Sequence, residues 1–217
     1  MIKPVLTLAL LAGIVTGPAH GASLTFTNSE APTPISQDGM LDLFDTNIGV
    51  LHSVRLTLFG TGTSSFTLVN TSASSQDVTA NSKILMYFSS LLPGLGNTLD
   101  GLLPALSLQS STGLVSLAPG ATSIVGPLFS TESLELNALA PTLFSQAGGG
   151  SFTLSCESAD EKEVVGGNGS VSVGLVTQSG CGATVVYDYT PHRVSEPASL
   201  VLAGLGMMGL AAIRRRK

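Results

Sequence analysis

The chain has 217 residues, of which 43% are hydrophobic and only 11% are charged. Charged residues make up about a quarter of an average globular protein, so this composition is not that of a typical cytosolic enzyme. Residues 23–196 carry four basic and fourteen acidic side chains, and the chain contains no Trp. A body this acidic, without a basic stripe, argues against nucleic acid or anionic lipid headgroups as partners.

The first 22 residues predict a secretory signal peptide that forms an N-terminal signal helix. Lys3 precedes an apolar run from Val5 to Val15, and small residues follow through Ala22. A positive charge, an apolar run and small residues, in that order, are typical of a cleaved export signal. Cleavage is expected after Gly21 or after Ala22. The apolar run spans about 17 Å as a helix, which is too short for a hydrocarbon core of about 30 Å.

The body, residues 23–190, has the sequence pattern of an all-β domain. Apolar residues alternate in steps of two at 24–26, 54–58, 66–68, 84–88, 152–154, 171–175 and 184–189. This alternation predicts short half-buried strands, and residues 60–63 and 71–75 predict turns between them. Residues 91–150 predict long loops with a few strands and one short helix near 132–139. We expect an antiparallel β-sandwich-like extracellular domain.

Cys156 and Cys181 are the only cysteines in the chain. An even number of cysteines in an exported protein predicts a disulfide between them. The bridge would close a loop of about 26 residues and stabilise the fold by about 3 kcal/mol. Metal binding by these two cysteines is disfavoured because no histidine lies near either of them.

The other polar residues of the chain predict no catalytic, cofactor or metal site. His52 and His192 lack the spacing of metal ligands, and no nucleophile elbow is present. An acidic cluster could in principle hold Ca²⁺, but apolar residues interrupt it, and we expect an acidic strand and turn instead. A second acidic group predicts a solvated loop rather than paired glycosidase carboxylates. The first cluster comprises Asp38, Asp42, Asp45 and Asn47, and the second comprises Glu157, Asp160, Glu161 and Glu163.

The C-terminal segment combines a polar motif, an apolar run and a basic cluster. Ser195, Glu196 and Pro197 precede an apolar stretch over residues 198–213, which predicts a single transmembrane helix of about 24 Å. The chain then ends in four basic residues, Arg214, Arg215, Arg216 and Lys217. This membrane stop fixes the C-terminus in the cytoplasm and leaves the body outside. One interpretation of the segment is an ordinary single-pass anchor.

A more specific interpretation is that residues 194–217 resemble a PEP-CTERM protein-sorting signal. Glu196, Pro197 and the order of motif, helix and arginine cluster match that family, and Ser195 stands where its first Pro usually sits. The resemblance implies processing by an exosortase in the inner membrane of an exopolysaccharide-producing Gram-negative bacterium. It therefore implies that the helix anchors the protein only transiently.

The body resembles the choice-of-anchor E domain in its layout. The resemblance is carried by Phe44-Asp45, the segment at residues 54–58 and the segment at residues 66–72, and it covers about residues 23–190. That family consists of extracellular modules, and the resemblance implies no enzymatic activity.

These observations predict an exported, non-enzymatic surface or extracellular-matrix protein that requires no cofactor. The expected partners are signal peptidase, exosortase, the membrane through the C-terminal helix, and extracellular polysaccharide or matrix. Two alternatives stay open, namely a permanently membrane-tethered periplasmic binding module and a secreted hydrolase of matrix polysaccharide. Carbohydrate binding through exposed aromatic rings is disfavoured because only 5% of the residues are aromatic.

Overall fold

A computed structural model of the chain describes residues 20–192. Residues 1–19 of the predicted signal peptide (residues 1–22) lie outside the described residues, as do the sorting motif and the predicted transmembrane helix at 198–213. Within residues 20–192, no helix has the length and apolar character needed to cross a membrane. The described part is all-β, with two large antiparallel sheets, as the alternating sequence pattern predicted.

Twelve strands and one short α-helix make up the described chain. In chain order, the strands are β1 (His20–Thr27), β2 (Ala31–Pro32), β3 (Ser36–Asp42), β4 (Phe44–Asp45), β5 (Gly49–Asn70), β6 (Gln76–Ser90), β7 (Leu106–Ser111), β8 (Val115–Leu117), β9 (Thr122–Leu139), β10 (Ser145–Gln146), β11 (Ser151–Gly166) and β12 (Val171–Pro191). The helix α1 (Leu95–Asp100) lies between β6 and β7. Two 3₁₀ turns cover Pro141–Leu143 and Gly167–Gly169.

The two large sheets pack face to face. The first sheet has the order β1–β12–β5–β9, with β2 paired to β12. The second has the order β3–β11–β6–β7, with β8 paired to β6. A small parallel pair, β4 with β10, forms a separate two-stranded sheet. We call the first the β5 sheet and the second the β6 sheet.

The predicted turn at residues 60–63 is wrong, because these residues lie within β5. This strand runs unbroken for 22 residues and pairs with β12 along its whole length. A side chain at Gly60 would collide with the Met86 sulfur, and a Cβ at Gly62 would lie 2.8 Å from Ile84 Cδ1. The glycines are therefore explained by the close approach of the β6 sheet rather than by a change of chain direction. The turn predicted at residues 71–75 is confirmed, and it connects β5 to β6.

The helix predicted near residues 132–139 is also wrong, since these residues form the end of β9. Leu134 and Leu136 lie opposite Leu58 and Leu56 of β5, so their side chains enter the core two residues apart. Pairing with a long neighbouring strand outweighs the helix propensity of this segment. The α-helix of this region occurs at residues 95–100, where Leu95 and Leu99 are fully buried.

The acidic segment that was expected to be a loop belongs to a strand. Residues 157–163 lie in β11 and pair with residues 81–87 of β6. Glu157, Glu161 and Glu163 alternate on the solvent-facing side of this strand, so the strand keeps its charges hydrated.

The core between the sheets has two apolar clusters. The larger one includes Leu56, Leu58, Met86 and Leu154, and the smaller one is centred on Phe66 and Leu68. Buried hydroxyl pairs also join the sheets, with Ser64 Oγ 2.8 Å from Ser82 Oγ and Ser158 Oγ 3.0 Å from Ser179 Oγ. Each buried hydroxyl thereby obtains a hydrogen-bond partner, which removes most of the cost of placing it between two sheets.

The two ends of the sandwich are distinct. At one end, His20 pairs with Tyr189 and Gly49 pairs with Pro191, so the described chain starts and finishes there. We call this the terminal end. At the other end, the turn after Asn70 and the turn before Val171 lie side by side, and the Thr71 amide donates a hydrogen bond to the Ser170 carbonyl. We call this the turn end.

Candidate functional site

A groove crosses the outer face of the β6 sheet. It has a volume of about 600 Å³ and follows three neighbouring strands, β7, β6 and β11. Its outward-facing side chains are Asn81, Lys83, Gln109, Ser111, Glu161 and Glu163. Because strand side chains alternate between the two faces, residues two apart on each strand point into the same groove. We call this site the β6 groove.

Strand register arranges the groove in two rows. Glu161, Lys83 and Gln109 lie opposite one another across the three strands, and Glu163, Asn81 and Ser111 form the next row. Both carboxylates therefore belong to the β11 wall of the groove. The β7 wall opposite carries an amide and a hydroxyl.

Contacts within the groove are weak enough for solvent or a ligand to compete with them. Lys83 Nζ lies 3.9 Å from Glu161 Oε2, and these side chains are 45% and 59% exposed. An exposed ion pair of this kind contributes about 0–1 kcal/mol. Asn81 Nδ2 donates a hydrogen bond of 3.1 Å to Glu163 Oε2. Within residues 20–192, the side-chain amide of Gln109 makes no hydrogen bond.

The outer face of β6 becomes less polar beside the groove. Leu85 and Tyr87 continue the outward row of Lys83, and both are half-buried. Ala159 lies opposite Leu85, and Glu157 lies opposite Tyr87. The polar groove is therefore continuous with a small apolar surface that has a phenol ring at its far side.

The chemistry of the groove fits hydrogen bonding better than metal binding. Among the residues that the structure describes, no group of three or more His, Cys, Asp or Glu side chains could hold a metal ion. The groove instead combines amides, carboxylates, hydroxyls and one ammonium group, so it offers both donors and acceptors to a polar ligand.

The predicted disulfide is present. Cys156 in β11 is bonded to Cys181 in β12, with a Cα–Cα distance of 6.6 Å, and both residues are buried. Because β11 and β12 belong to different sheets, the bond connects the two layers covalently. Its role in the described structure is to hold the sandwich together.

The histidines and the first acidic cluster do not converge on one site. His52 Nε2 lies 2.7 Å from Thr190 Oγ1, whereas His192 Nε2 contacts the Thr46 carbonyl at 3.1 Å. Asp45 accepts hydrogen bonds from the backbone amides of Asn47 and Gly148, both at 2.8 Å. Its carboxylate therefore stabilises the turn after β4 and the neighbouring loop. Asp38 and Asp42 lie on the outer side of β3.

The second acidic group divides between two locations. Glu161 and Glu163 line the β6 groove, and Glu157 lies farther along the same face, beside Tyr87. Asp160 lies opposite Ile84, on the other face of β11, and is exposed. The groove was not predicted as a site, because its residues come from three strands that are distant in the sequence. Alternation within each strand indicates which side chains face outward. It does not indicate that β7, β6 and β11 are neighbours in the sheet, and this strand order is what brings their side chains together.

Asn70 is buried and has a structural role at the turn end of the sandwich. It is 1% exposed, and its Nδ2 donates to the Ser74, Leu117 and Ala118 carbonyls at 2.8–3.1 Å. Its Oδ1 accepts from the amide and hydroxyl of Ser72. This network fixes the turn end of the sandwich.

Comparison with known families identifies the C-terminal segment. Residues 193–217 match the PEP-CTERM protein-sorting motif. The match contains the predicted motif Ser195, Glu196 and Pro197 and the basic cluster Arg214–Lys217, which lie outside the described residues. It identifies an exported protein that an exosortase processes and that reaches the cell surface or the extracellular space.

The body has low similarity to chains of known structure. It is similar to a chain of infectious bursal virus derived T=1 particles, with 9% identity, a TM-score of 0.19, and coverage of 94% of this chain and 52% of that chain. It is also similar to the VP2 subviral particle of infectious bursal disease virus, with 10% identity, a TM-score of 0.21, and coverage of 91% and 49%. A third similar chain is that of empty-head Turnip Yellow Mosaic Virus, with 11% identity, a TM-score of 0.16, and coverage of 90% of this chain and 94% of that chain.

The chain spans about half the length of the two infectious bursal virus chains. Similarity at these TM-scores supports no inference about fold or function. A search of curated proteins finds no match.

Proposed function

We propose that this protein is a non-enzymatic surface or matrix component of an exopolysaccharide-producing Gram-negative bacterium, and that it acts by binding. The observation that carries the proposal is the PEP-CTERM motif at residues 193–217. On this proposal, signal peptidase removes the N-terminal signal, and exosortase removes the C-terminal helix after it has held the protein transiently at the membrane. The β-sandwich is the part that remains outside the cell.

The described fold is compatible with a long-lived extracellular module. The disulfide joins the two sheets, and such bonds persist in oxidising compartments outside the cytoplasm. The sequence layout from residue 24 to residue 186 supports a module of the choice-of-anchor E type, which we include in the proposal.

The arrangement of the β6 groove supports binding rather than hydrolysis. Glycosidases place two carboxyl groups on opposite sides of the scissile bond. In the β6 groove, Glu161 and Glu163 lie on the same β11 wall, and the β7 wall carries Gln109 and Ser111. We therefore favour a binding module over the alternative of a secreted polysaccharide hydrolase.

Processing of the tail tests the proposal. The full chain is produced in an exosortase-bearing bacterium and in a strain that lacks the exosortase, and intact masses are measured in the membrane and released fractions. We expect a released protein ending near residue 196 in the first strain. In the second strain, we expect a membrane-bound protein that retains Arg214–Lys217.

Matched variants show whether the motif itself is used. The double variant Glu196→Ala, Pro197→Ala should remain unprocessed, whereas Glu157→Ala, Pro119→Ala changes the same residue types in the exposed body and should be processed normally. Identical masses in both strains would contradict exosortase processing and would favour the permanently tethered module.

A further inference from the structure

We propose that the β6 groove binds an extended, uncharged glycan chain. This inference rests on the proposed function, because it assigns a ligand class to the exported module. The groove volume of about 600 Å³ is within the range of specific ligand sites, which is about 300–1,000 Å³. Since the groove lies on an outer sheet face and continues along β6 toward Leu85 and Tyr87, it suits a segment of a polymer.

The hydrogen-bonding groups of the groove match those of a sugar. Each sugar hydroxyl can both donate and accept a hydrogen bond, so a complementary surface needs both kinds of group at close spacing. Glu161 and Glu163 accept, Lys83 donates, and the amides of Asn81 and Gln109 do both. Gln109 has no side-chain hydrogen bond within residues 20–192, so a ligand can bond to it without first breaking an internal contact.

The charges of the groove favour a neutral ligand. The β11 wall carries two carboxylates, and the ammonium group that faces them, that of Lys83, already lies 3.9 Å from Glu161. Lys162 also borders the groove, but its Nζ donates a hydrogen bond to the Val173 carbonyl of β12, in the other sheet. A phosphate, sulfate or uronate group bound in the groove would lie close to both carboxylates and would be repelled by them. Lys83 is already partly neutralised by Glu161 and offsets little of this repulsion, so an anionic polymer is disfavoured.

The surface beside the groove provides contact for the apolar face of a sugar ring. Tyr87 lies on the same strand face as Lys83, four residues farther along β6, which is about 13 Å away. Leu85 and Ala159 lie between them on the same outer face. Because a Tyr ring combines an apolar face with a polar hydroxyl, it can pack against one sugar of a chain that runs along β6, while another sugar of the same chain is hydrogen-bonded in the groove.

The position of the groove also favours a ligand outside the cell. Glu163 is three residues from the end of β11 at Gly166 and twelve residues from its start at Ser151. The groove therefore lies nearer the turn end than the terminal end, from which the C-terminal tail leaves. A molecule tethered through its tail would present the groove away from the membrane.

The test measures binding of the released protein to three neutral polysaccharides (dextran, mannan and a linear β-glucan) by affinity electrophoresis and calorimetry. Alginate serves as the anionic probe, and unfolded casein as the peptide probe. We expect saturable binding to at least one neutral polysaccharide and none to alginate or casein. Absence of binding to all three neutral polysaccharides, or displacement of the bound polysaccharide by casein, would overturn the proposal.

Point variants locate the binding site. Gln109→Ala should weaken binding of the neutral polysaccharide about fivefold or more, the effect of losing one hydrogen bond worth about 1 kcal/mol. Gln178→Ala is the matched control, because Gln178 is also an exposed strand glutamine but lies in the β5 sheet. It should change affinity less than about twofold, and equal effects of the two variants would overturn the assignment.

A charge variant tests the preference for neutral chains. The double variant Glu161→Gln, Glu163→Gln keeps side-chain shape and should gain binding to alginate, because the repulsive carboxylates are gone. Continued exclusion of alginate would refute this explanation of selectivity. Failure of glycan binding with normal tail processing would reject the groove assignment alone, whereas failed processing with intact binding would reject the proposed sorting alone.

Discussion

Tyr187 connects the core of the sandwich to the end of β3. Its ring is buried and packs edge-on against Phe44, with ring centroids 6.0 Å apart. Its hydroxyl donates a hydrogen bond of 2.7 Å to the Asp42 carbonyl. Burial, and secondarily the negative charge of Asp42, raise the pKa of the Tyr187 phenol above its usual value. The folded protein therefore strongly favours the neutral phenol.

Because of this raised pKa, the stability of the protein decreases with pH in the alkaline range. The unfolded chain ionises the phenol near its ordinary pKa of about 10, whereas the folded chain keeps the proton. The stabilising contribution is therefore complete below pH 10 and is lost as the pH rises above it. Between pH 8 and pH 10.5, we expect the free energy of unfolding to fall by about 1 kcal/mol from this group.

The variant Tyr187→Phe should show a smaller alkaline decline. It should be about 1 kcal/mol less stable than the wild type at pH 8, because the hydrogen bond to Asp42 is lost. Urea unfolding at pH 8 and pH 10.5 measures both effects. Tyr87→Phe, which removes a phenol from the outer face, is the control and should retain the wild-type decline. An equal decline in Tyr187→Phe and the wild type would show that another group is responsible.

The bonding partner of a single residue was predictable from the sequence only where one candidate existed. The bond between Cys156 and Cys181 was predicted because the chain offers no other pairing. The hydrogen bond between Tyr187 and Asp42 joins residues separated by 145 positions, and it depends on how the two sheets pack. Local alternation indicates that Tyr187 faces inward, but it contains no information on which backbone carbonyl lies opposite.

At the scale of strands, glycine explains why the turn prediction at residues 60–63 was wrong. Two glycines within four residues resemble a turn in the sequence, yet Gly60 and Gly62 occupy a continuous strand where the opposite sheet leaves no room for side chains. In β12 the neighbouring strands of the same sheet leave no room, because a Cβ at Gly182 would collide with the Phe59 ring of β5 and lie 2.5 Å from the Phe26 carbonyl oxygen of β1. A single sequence does not distinguish a glycine required by packing from a glycine required by a turn.

Two glycines of β12 provide a matched test of this explanation. Gly182→Ala should lower the free energy of unfolding by about 1–3 kcal/mol, because the backbone of β1 would have to shift to admit the methyl group. At Gly174, the nearest atom to a new Cβ is Thr67 Cβ at 3.6 Å, so Gly174→Ala should be neutral or slightly stabilising. Urea unfolding of both variants measures the difference. Equal stabilities would show that close packing is not the reason for the glycine at position 182.

At the scale of the whole molecule, the fold places the terminal end and the turn end far apart. The described chain begins at His20 and ends at His192, and the His192 amide bonds to the Ile48 carbonyl at the terminal end. The turn end lies at the other end of β5, whose 22 residues span about 70 Å when extended. Five residues separate His192 from the apolar run that begins at Ala198, which allows a spacer of at most about 20 Å.

This geometry predicts the orientation of the unprocessed protein on a membrane. Full-length protein from exosortase-deficient cells is labelled with a donor dye at Asn47→Cys or Ala73→Cys and reconstituted into vesicles that contain acceptor-labelled lipids. Asn47 lies beside the terminal end and Ala73 lies in the turn at the opposite end; both are exposed. Energy transfer should be strong from position 47 and weak from position 73, because the two sites differ in height by up to about 70 Å.

A labelled chain lacking residues 193–217 should show no transfer from either position. Equal transfer from both positions of the full chain would mean that the sandwich lies flat on the bilayer, and the β6 groove would then not be held away from the membrane.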